Sequence, residues 1–148
     1  MKELKTILLV EDNIKDIELT MEALEAHHLA NQVEVARDGV EAMEYLHCEG
    51  KYSKRKKKNP GLILLDIKMP RMDGLEVLSA IRNDANLKLI PVVMLTSSLE
   101  EADLIKSYEI GVNAYVVKPV DFIEFIDAVK PLGVFWALLN ELPPKSGF

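Results

Sequence analysis

The stretch Leu62-Ile63-Leu64-Leu65-Asp66-Ile67-Lys68-Met69-Pro70-Arg71-Met72-Asp73-Gly74 decides the fold. Four consecutive aliphatic residues read as a strand buried on both faces, the pattern of a parallel sheet covered by helices. Such a strand should end in something apolar or in a turn. This one ends in a carboxylate, Asp66, and then a loop stiffened by Pro70 and released at Gly74. Open α/β sheets bind ligands at the carboxyl ends of their strands, which marks Asp66 as a working residue more than a cap or turn aspartate.

Working outward, Thr6-Ile7-Leu8-Leu9-Val10 ends in Glu11-Asp12 in the same manner. Asn13 then stands as an N-cap with Asp16 in capping-box position, and Ile14, Ile17, Met21 and Leu24 recur at helical spacing to about His28. A short strand is expected over 32–36, a cap at Asp38-Gly39, and a second helix through Val40, Met43 and Leu46. Beyond Gly74, Leu75, Leu78 and Ile81 predict a third helix, and 89–95 a fourth strand, with Pro91 tolerable at its start. That strand ends in Thr96-Ser97-Ser98. A fourth helix over 100–109 and a fifth strand over 112–117, ending in Lys118-Pro119, follow. Asp121 caps a fifth helix, which Pro131 and Gly133 interrupt. Five strand–helix alternations without repeat or linker predict one parallel α/β domain over 1–148, with 131–148 as an apolar extension of the last helix.

Composition narrows the class. With 148 residues, 49% hydrophobic but 6% aromatic, the chain suits one aliphatic core and excludes disorder as a whole-chain description. The single cysteine, Cys48, excludes an internal disulfide and fits a reducing cytoplasm as a structural thiol. No stretch approaches the roughly 18 apolar residues of a membrane span, and no signal segment is evident, so a soluble, cytoplasmic protein is expected. The net charge of −6 hides an asymmetry: residues 51–58 hold six of the 18 basic residues and no acid, leaving −12 on the rest. That acidic body argues against nucleic-acid binding, and the basic octet is expected as a solvated loop. His27 and His28 suit a helix C-terminus better than a metal site.

Glu11-Asp12, Asp66, Thr96 and Lys118 each follow a strand, and so share one edge of a parallel sheet. In the common doubly wound order 2-1-3-4-5, strands one and three lie about 4.8 Å apart. Glu11, Asp12 and Asp66 would then meet with no basic residue between them, an arrangement that calls for a hard divalent cation such as Mg²⁺. Lys118 and the Thr96 hydroxyl would flank it. A carboxylate nucleophile, a metal, an ammonium and a hydroxyl together suit acceptance of a phosphoryl group on Asp66 and its later loss to water.

On Leu9-Val10-Glu11-Asp12, Asp66-Ile67-Lys68-Met69-Pro70 with Asp73-Gly74, Thr96-Ser97 and Lys118-Pro119, the chain resembles receiver domains of two-component response regulators over essentially its full length. The resemblance implies a flavodoxin-like, doubly wound five-stranded parallel sheet with helices on both faces. It implies Asp66 as phosphoacceptor and Mg²⁺ held by Asp12, Asp66, the Lys68 main-chain carbonyl and, through water, Glu11. Lys118 would hold the phosphoryl group and make a cis bond to Pro119. Thr96 and Tyr115 would form a switch pair, Tyr115 filling the space Thr96 vacates. Many relatives carry Asp where this chain has Glu11. Lys68 and Ser98 should influence phosphoryl lifetime, in a direction left open.

The run 38–45, the long basic loop, the run 116–121 and the tail Phe135-Trp136 with Leu139-Asn140-Glu141 are similar to single-domain regulators of phytochrome-type histidine kinases. Partners expected are such a kinase, a downstream protein and a second copy, the dimer face comprising Leu104, Tyr108, Phe135 and Trp136. The protein is expected to be no enzyme beyond its own phosphorylation and dephosphorylation. Enzyme readings are weaker: Glu11-Asp12 would repel the phosphate of FMN, and no G-x-x-x-x-G-K-[ST] loop exists. A phosphatase with an Asp nucleophile usually has a second Asp where Lys68 stands. The rival from another class is a scaffold that keeps the fold without phosphorylation.

Overall fold

The computed structural model describes residues 6–26, 32–97 and 101–133, with the side chains of 101–105 excepted. In order, the elements are β1 (Ile7–Val10), α1 (Ile14–Glu25), β2 (Val33–Ala36), α2 (Gly39–His47), β3 (Leu62–Asp66) and α3 (Gly74–Arg82). β4 (Val92–Thr96), α4 (Glu101–Ile110), β5 (Ala114–Val117) and α5 (Phe122–Val129) complete the alternation. The sheet is parallel throughout in the order β2-β1-β3-β4-β5.

Alternation along the strands sorts the interior into two cores. Leu8, Val10, Ile63, Leu65, Val92 and Met94 face α2 and α3, meeting Ala42, Leu46, Val77, Leu78 and Ile81. Ile7, Leu9, Leu62, Leu64, Val93, Leu95 and Val116 face α1 and α5, meeting Leu24, Phe125, Ile126 and Val129. Burial on both faces is why the central strands carry unbroken aliphatic runs.

Helix starts follow their caps. Asn13, Asp38 and Asp121 accept backbone N–H bonds from Asp16, Glu41 and Glu124, and Asp73 with Glu76 forms a reciprocal capping box. Asp16 does not complete such a box. The Asn13 N–H goes to Glu11 Oε2 at 3.2 Å, leaving the Asp16 carboxylate for a distant partner.

Several boundaries differ from expectation. β4 starts at Val92, because Pro91 has no N–H for a ladder, and Leu89 stands 89% exposed outside the strand. β5 begins at Ala114, since the Asn113 N–H donates to the Val92 carbonyl and its Oδ1 accepts from the Val92 N–H. α5 gives way at Lys130–Leu132 to a 3-10 turn that ends at Gly133 with φ 76°. The remaining tail, His27, His28 and Ser98 lie outside the described residues.

The basic loop is largely exposed, as expected of a solvated segment, with Arg55 the exception among its basic residues. Arg55 turns inward, stacks 3.9 Å over the Tyr45 ring and donates to the Tyr45, Lys56 and Lys58 carbonyls. Lys51 pairs with Glu41 at 2.9 Å. Among the described residues, no helix is long and apolar enough to cross a membrane.

Candidate acidic site at the carboxyl edge of the sheet

Counting in twos places the site. The parity of Ile7 and Leu9 continues to Glu11, that of Leu62 and Leu64 to Asp66, and that of Val116 to Lys118. All three therefore leave the sheet on the α1–α5 side. Val10 pairs with Leu65, so Glu11 and Asp66 follow directly on neighbouring strands. Thr96 continues the parity of Val92 and Met94 toward the other face. Its carbonyl accepts from the Lys118 N–H at 2.8 Å, which fixes the end of β5 against β4.

Glu11, Asp12 and Asp66 each offer an oxygen within 4.8 Å of the others. Hard carboxylate oxygens at that spacing fit a divalent cation such as Mg²⁺ or Mn²⁺. Contrary to the expectation of an acid cluster free of bases, Lys118 reaches into it. Its Nζ donates to Glu11 Oε1 at 2.9 Å, to Asp16 Oδ2 at 2.9 Å and to Asp66 Oδ1 at 3.2 Å. With Glu11 fully buried, a nearby cation offsets charge that water cannot reach.

The electrostatics follow from that crowding. Burial pushes the Glu11 carboxyl from 4.5 up to about 7, against the hydrogen bond from Lys118 and with the help of the Asp66 charge. Burial also raises Asp66, opposed by the charge of Lys118. For Lys118, burial works to lower the value, but the bonds to Asp16 and Glu11 and the Asp66 charge outweigh it and hold the ammonium above its ordinary range.

The other residues singled out in the sequence occupy defined places. Lys68 lies exposed in the loop after β3, and the Lys118–Pro119 bond is cis. Tyr115 is 38% exposed on β5, edge-on to Tyr108 with ring centroids 6.3 Å apart. Tyr108 is itself half exposed. The Leu104 side chain, Phe135 and Trp136 lie outside the described residues.

Sequence reasoning missed two contributors to the site. Asp16 shares an i, i+4 stripe with buried Thr20 and Leu24, a spacing that turns it toward the sheet. Arg37, at the end of β2, donates from Nη2 to the Asp12 carbonyl at 3.0 Å and so braces the first loop.

Fold and site together define a doubly wound α/β domain carrying an acidic site of divalent-metal type. Residues 7–130 match the family model described as the response regulator receiver domain. Response regulator Rcp1 of Synechocystis sp. is 40% identical over 139 residues, 94% of this chain and 93% of that protein. The structure of the bacteriophytochrome response regulator AtBRR is similar at a TM-score of 0.85 and 60% identity, covering 94% of this chain and 99% of its own. The phosphorylated cyanobacterial phytochrome response regulator RcpA gives 0.76 and 43%, covering 96% and 100%. Rcp1 in its Mn²⁺-bound form gives 0.73 and 40%, covering 95% and 99%. The chain belongs to the response regulator receiver domain family, a signalling class distinct from conventional enzymes.

Proposed function

We propose that this receiver takes a phosphoryl group from a phytochrome-type sensor histidine kinase onto Asp66, in the cytoplasm, and signals by protein contact. The observation that carries the reading is the Lys118 ammonium 3.2 Å from Asp66 beside the Glu11, Asp12 and Asp66 carboxylates, all at one sheet edge. The kinase type rests on the likeness to AtBRR and RcpA, which are phytochrome-linked regulators by description.

Asp12, Asp66 and the Lys68 main-chain carbonyl would hold Mg²⁺, with Glu11 acting through water. Mg²⁺ bound there neutralises charge on the transferring phosphoryl oxygens. An Asp66 oxygen attacks phosphorus, the P–N bond of the phosphohistidine breaks, and its electron pair stays on the imidazole nitrogen. Lys118 supports the ionised acceptor against burial, then holds a phosphoryl oxygen. Loss occurs when water attacks phosphorus and the O–P bond to Asp66 breaks, releasing inorganic phosphate.

Thr96 and Tyr115 act as the switch: the hydroxyl turns to the phosphoryl group and Tyr115 moves inward from its exposed position beside Tyr108. The face between α4, β5 and α5, bearing Tyr108, Tyr115, Glu124 and Asp127, is the output and homodimer surface. Leu104, Phe135 and Trp136 are its remaining proposed members.

Intact-mass spectrometry after incubation with a small phosphodonor tests the reading. One phosphoryl adduct is expected for the wild type with Mg²⁺, and none with EDTA or for Asp66→Asn. No adduct in any condition on folded protein would instead leave a phosphorylation-independent scaffold.

A further inference from the structure

The phosphoacceptor reading leaves one carboxylate at the site without a task. Asp16 stands in the first turn of α1, its backbone N–H capped by Asn13 and its Oδ2 2.9 Å from Lys118 Nζ. Resting on that reading, we propose that Asp16 is a positioning residue that shares Lys118 with the acceptor in the resting chain and gives it up when Asp66 carries a phosphoryl group.

An ammonium has three N–H donors, and Glu11, Asp16 and Asp66 take all three. A phosphoryl group on Asp66 brings three strong acceptor oxygens within reach of the same nitrogen. Any second bond from Lys118 to that group requires a resting partner to leave. Glu11 is a poor candidate: its side chain is 0% exposed, so releasing it would strand a buried carboxylate. The Asp16 side chain is 29% exposed, so water can replace Lys118 there. Asp16 is therefore the partner that yields, and in the resting chain it competes with Asp66 for the ammonium.

The Asp16–Lys118 pair ties the first turn of α1 to the end of β5, across 102 positions of sequence. Releasing it on phosphorylation loosens that tie, so α1 reports the state of Asp66.

The test compares Asp16→Asn, Asp16→Ala and Asp16→Glu with the wild type at saturating Mg²⁺, using beryllofluoride as the phosphoryl mimic. All three variants keep the residue 16 N–H for Asn13, and thermal unfolding reports whether α1 has survived in each. Removing the competing carboxylate is expected to tighten beryllofluoride binding about 3- to 10-fold in the Asn and Ala variants. The magnitude corresponds to one weakened charge-assisted bond. Mg²⁺ affinity should stay equal or fall, because a negative charge has gone, and Glu should restore wild-type values. In amide NMR spectra, beryllofluoride should shift residues 14–18 in the wild type and much less in Asp16→Asn. Unchanged or weaker beryllofluoride binding in folded Asn and Ala variants would overturn the proposal. A wild type that binds no beryllofluoride would remove the acceptor reading itself, a distinct result.

Discussion

Glu11 is the carboxylate of the site that solvent does not touch, and its titration should be visible in the stability of the whole chain. Its pKa is raised in the fold from 4.5 to about 7, chiefly by burial. A group raised on folding contributes stability that is full below its unfolded value and is lost as pH climbs through the folded one. In EDTA, the urea midpoint is therefore expected to fall between about pH 4.5 and 7, with Asp66, also raised, adding the same sign. The lowered carboxylates Asp38, Glu41 and Asp84 act below that window and in the opposite sense. Glu11→Gln should flatten the slope and weaken Mg²⁺ binding, since the metal needs the ionised acid. A slope undiminished in Glu11→Gln would place its origin elsewhere. At this scale the meeting of Glu11, Asp12, Asp66 and Lys118 was readable because each stands at or just beyond the carboxyl end of a strand, whereas Thr96 ends β4 with the parity of the other face. Asp16 was not readable, because its register beside Asn13 offered a plausible local partner while its real one, Lys118, is distant in sequence.

Among the elements, the β3–α3 loop carries the tightest constraint. It folds back so that the Gly74 N–H donates to the Ile67 carbonyl at 2.8 Å, starting α3 directly against the end of β3. A Cβ at Gly74 would collide with the Asp66 carbonyl oxygen and lie 2.8 Å from Ile67 Cα, both backbone atoms that cannot swing aside. Arg71 holds the same loop from its other flank, with φ 66° and its guanidinium on Asp38, the N-cap of α2. Gly74→Ala is expected to destabilise by ~1–3 kcal/mol, the usual cost of overpacking, and to slow phosphorylation by displacing Asp66. Urea unfolding and the mass assay measure the two effects, and wild-type values in both would show that the loop adapts. The sequence located this loop through Pro70 and Gly74 but implied a turn glycine; the need is close approach, which depends on where α3 docks. The basic octet shows the converse limit. Its charge pattern said solvent, yet Arg55 is taken by Tyr45, a partner on α2 that no local pattern reveals.

For the molecule as a whole, both faces of the sheet are closed by helices, while one edge concentrates negative charge that folding must tolerate. Most of the architecture was legible because aliphatic runs, caps and glycines repeat in order; the neighbour order of the strands came by analogy, since no local signal encodes it. Crowding Glu11, Asp12 and Asp66 at one edge leaves stability to be recovered by a cation that binds the fold and not the unfolded chain. Mg²⁺ at 100 times its dissociation constant should add about 2.7 kcal/mol, or about 5–10 °C in Tm for a domain of this size. The shift should track the logarithm of Mg²⁺ concentration above saturation, as linkage requires, and be reproduced by Mn²⁺. NaCl at matched ionic strength should give much less, because buried carboxylates are screened poorly by mobile ions. Asp12→Asn and Asp66→Asn should each be more stable than the wild type in EDTA, having lost one of three repelling charges, and should lose most of the response to Mg²⁺. Thermal scans of the three proteins across a Mg²⁺ series measure all of this. If NaCl matched Mg²⁺, or Asp12→Asn kept the full shift, the acidic edge would be diffuse surface charge and not a metal site.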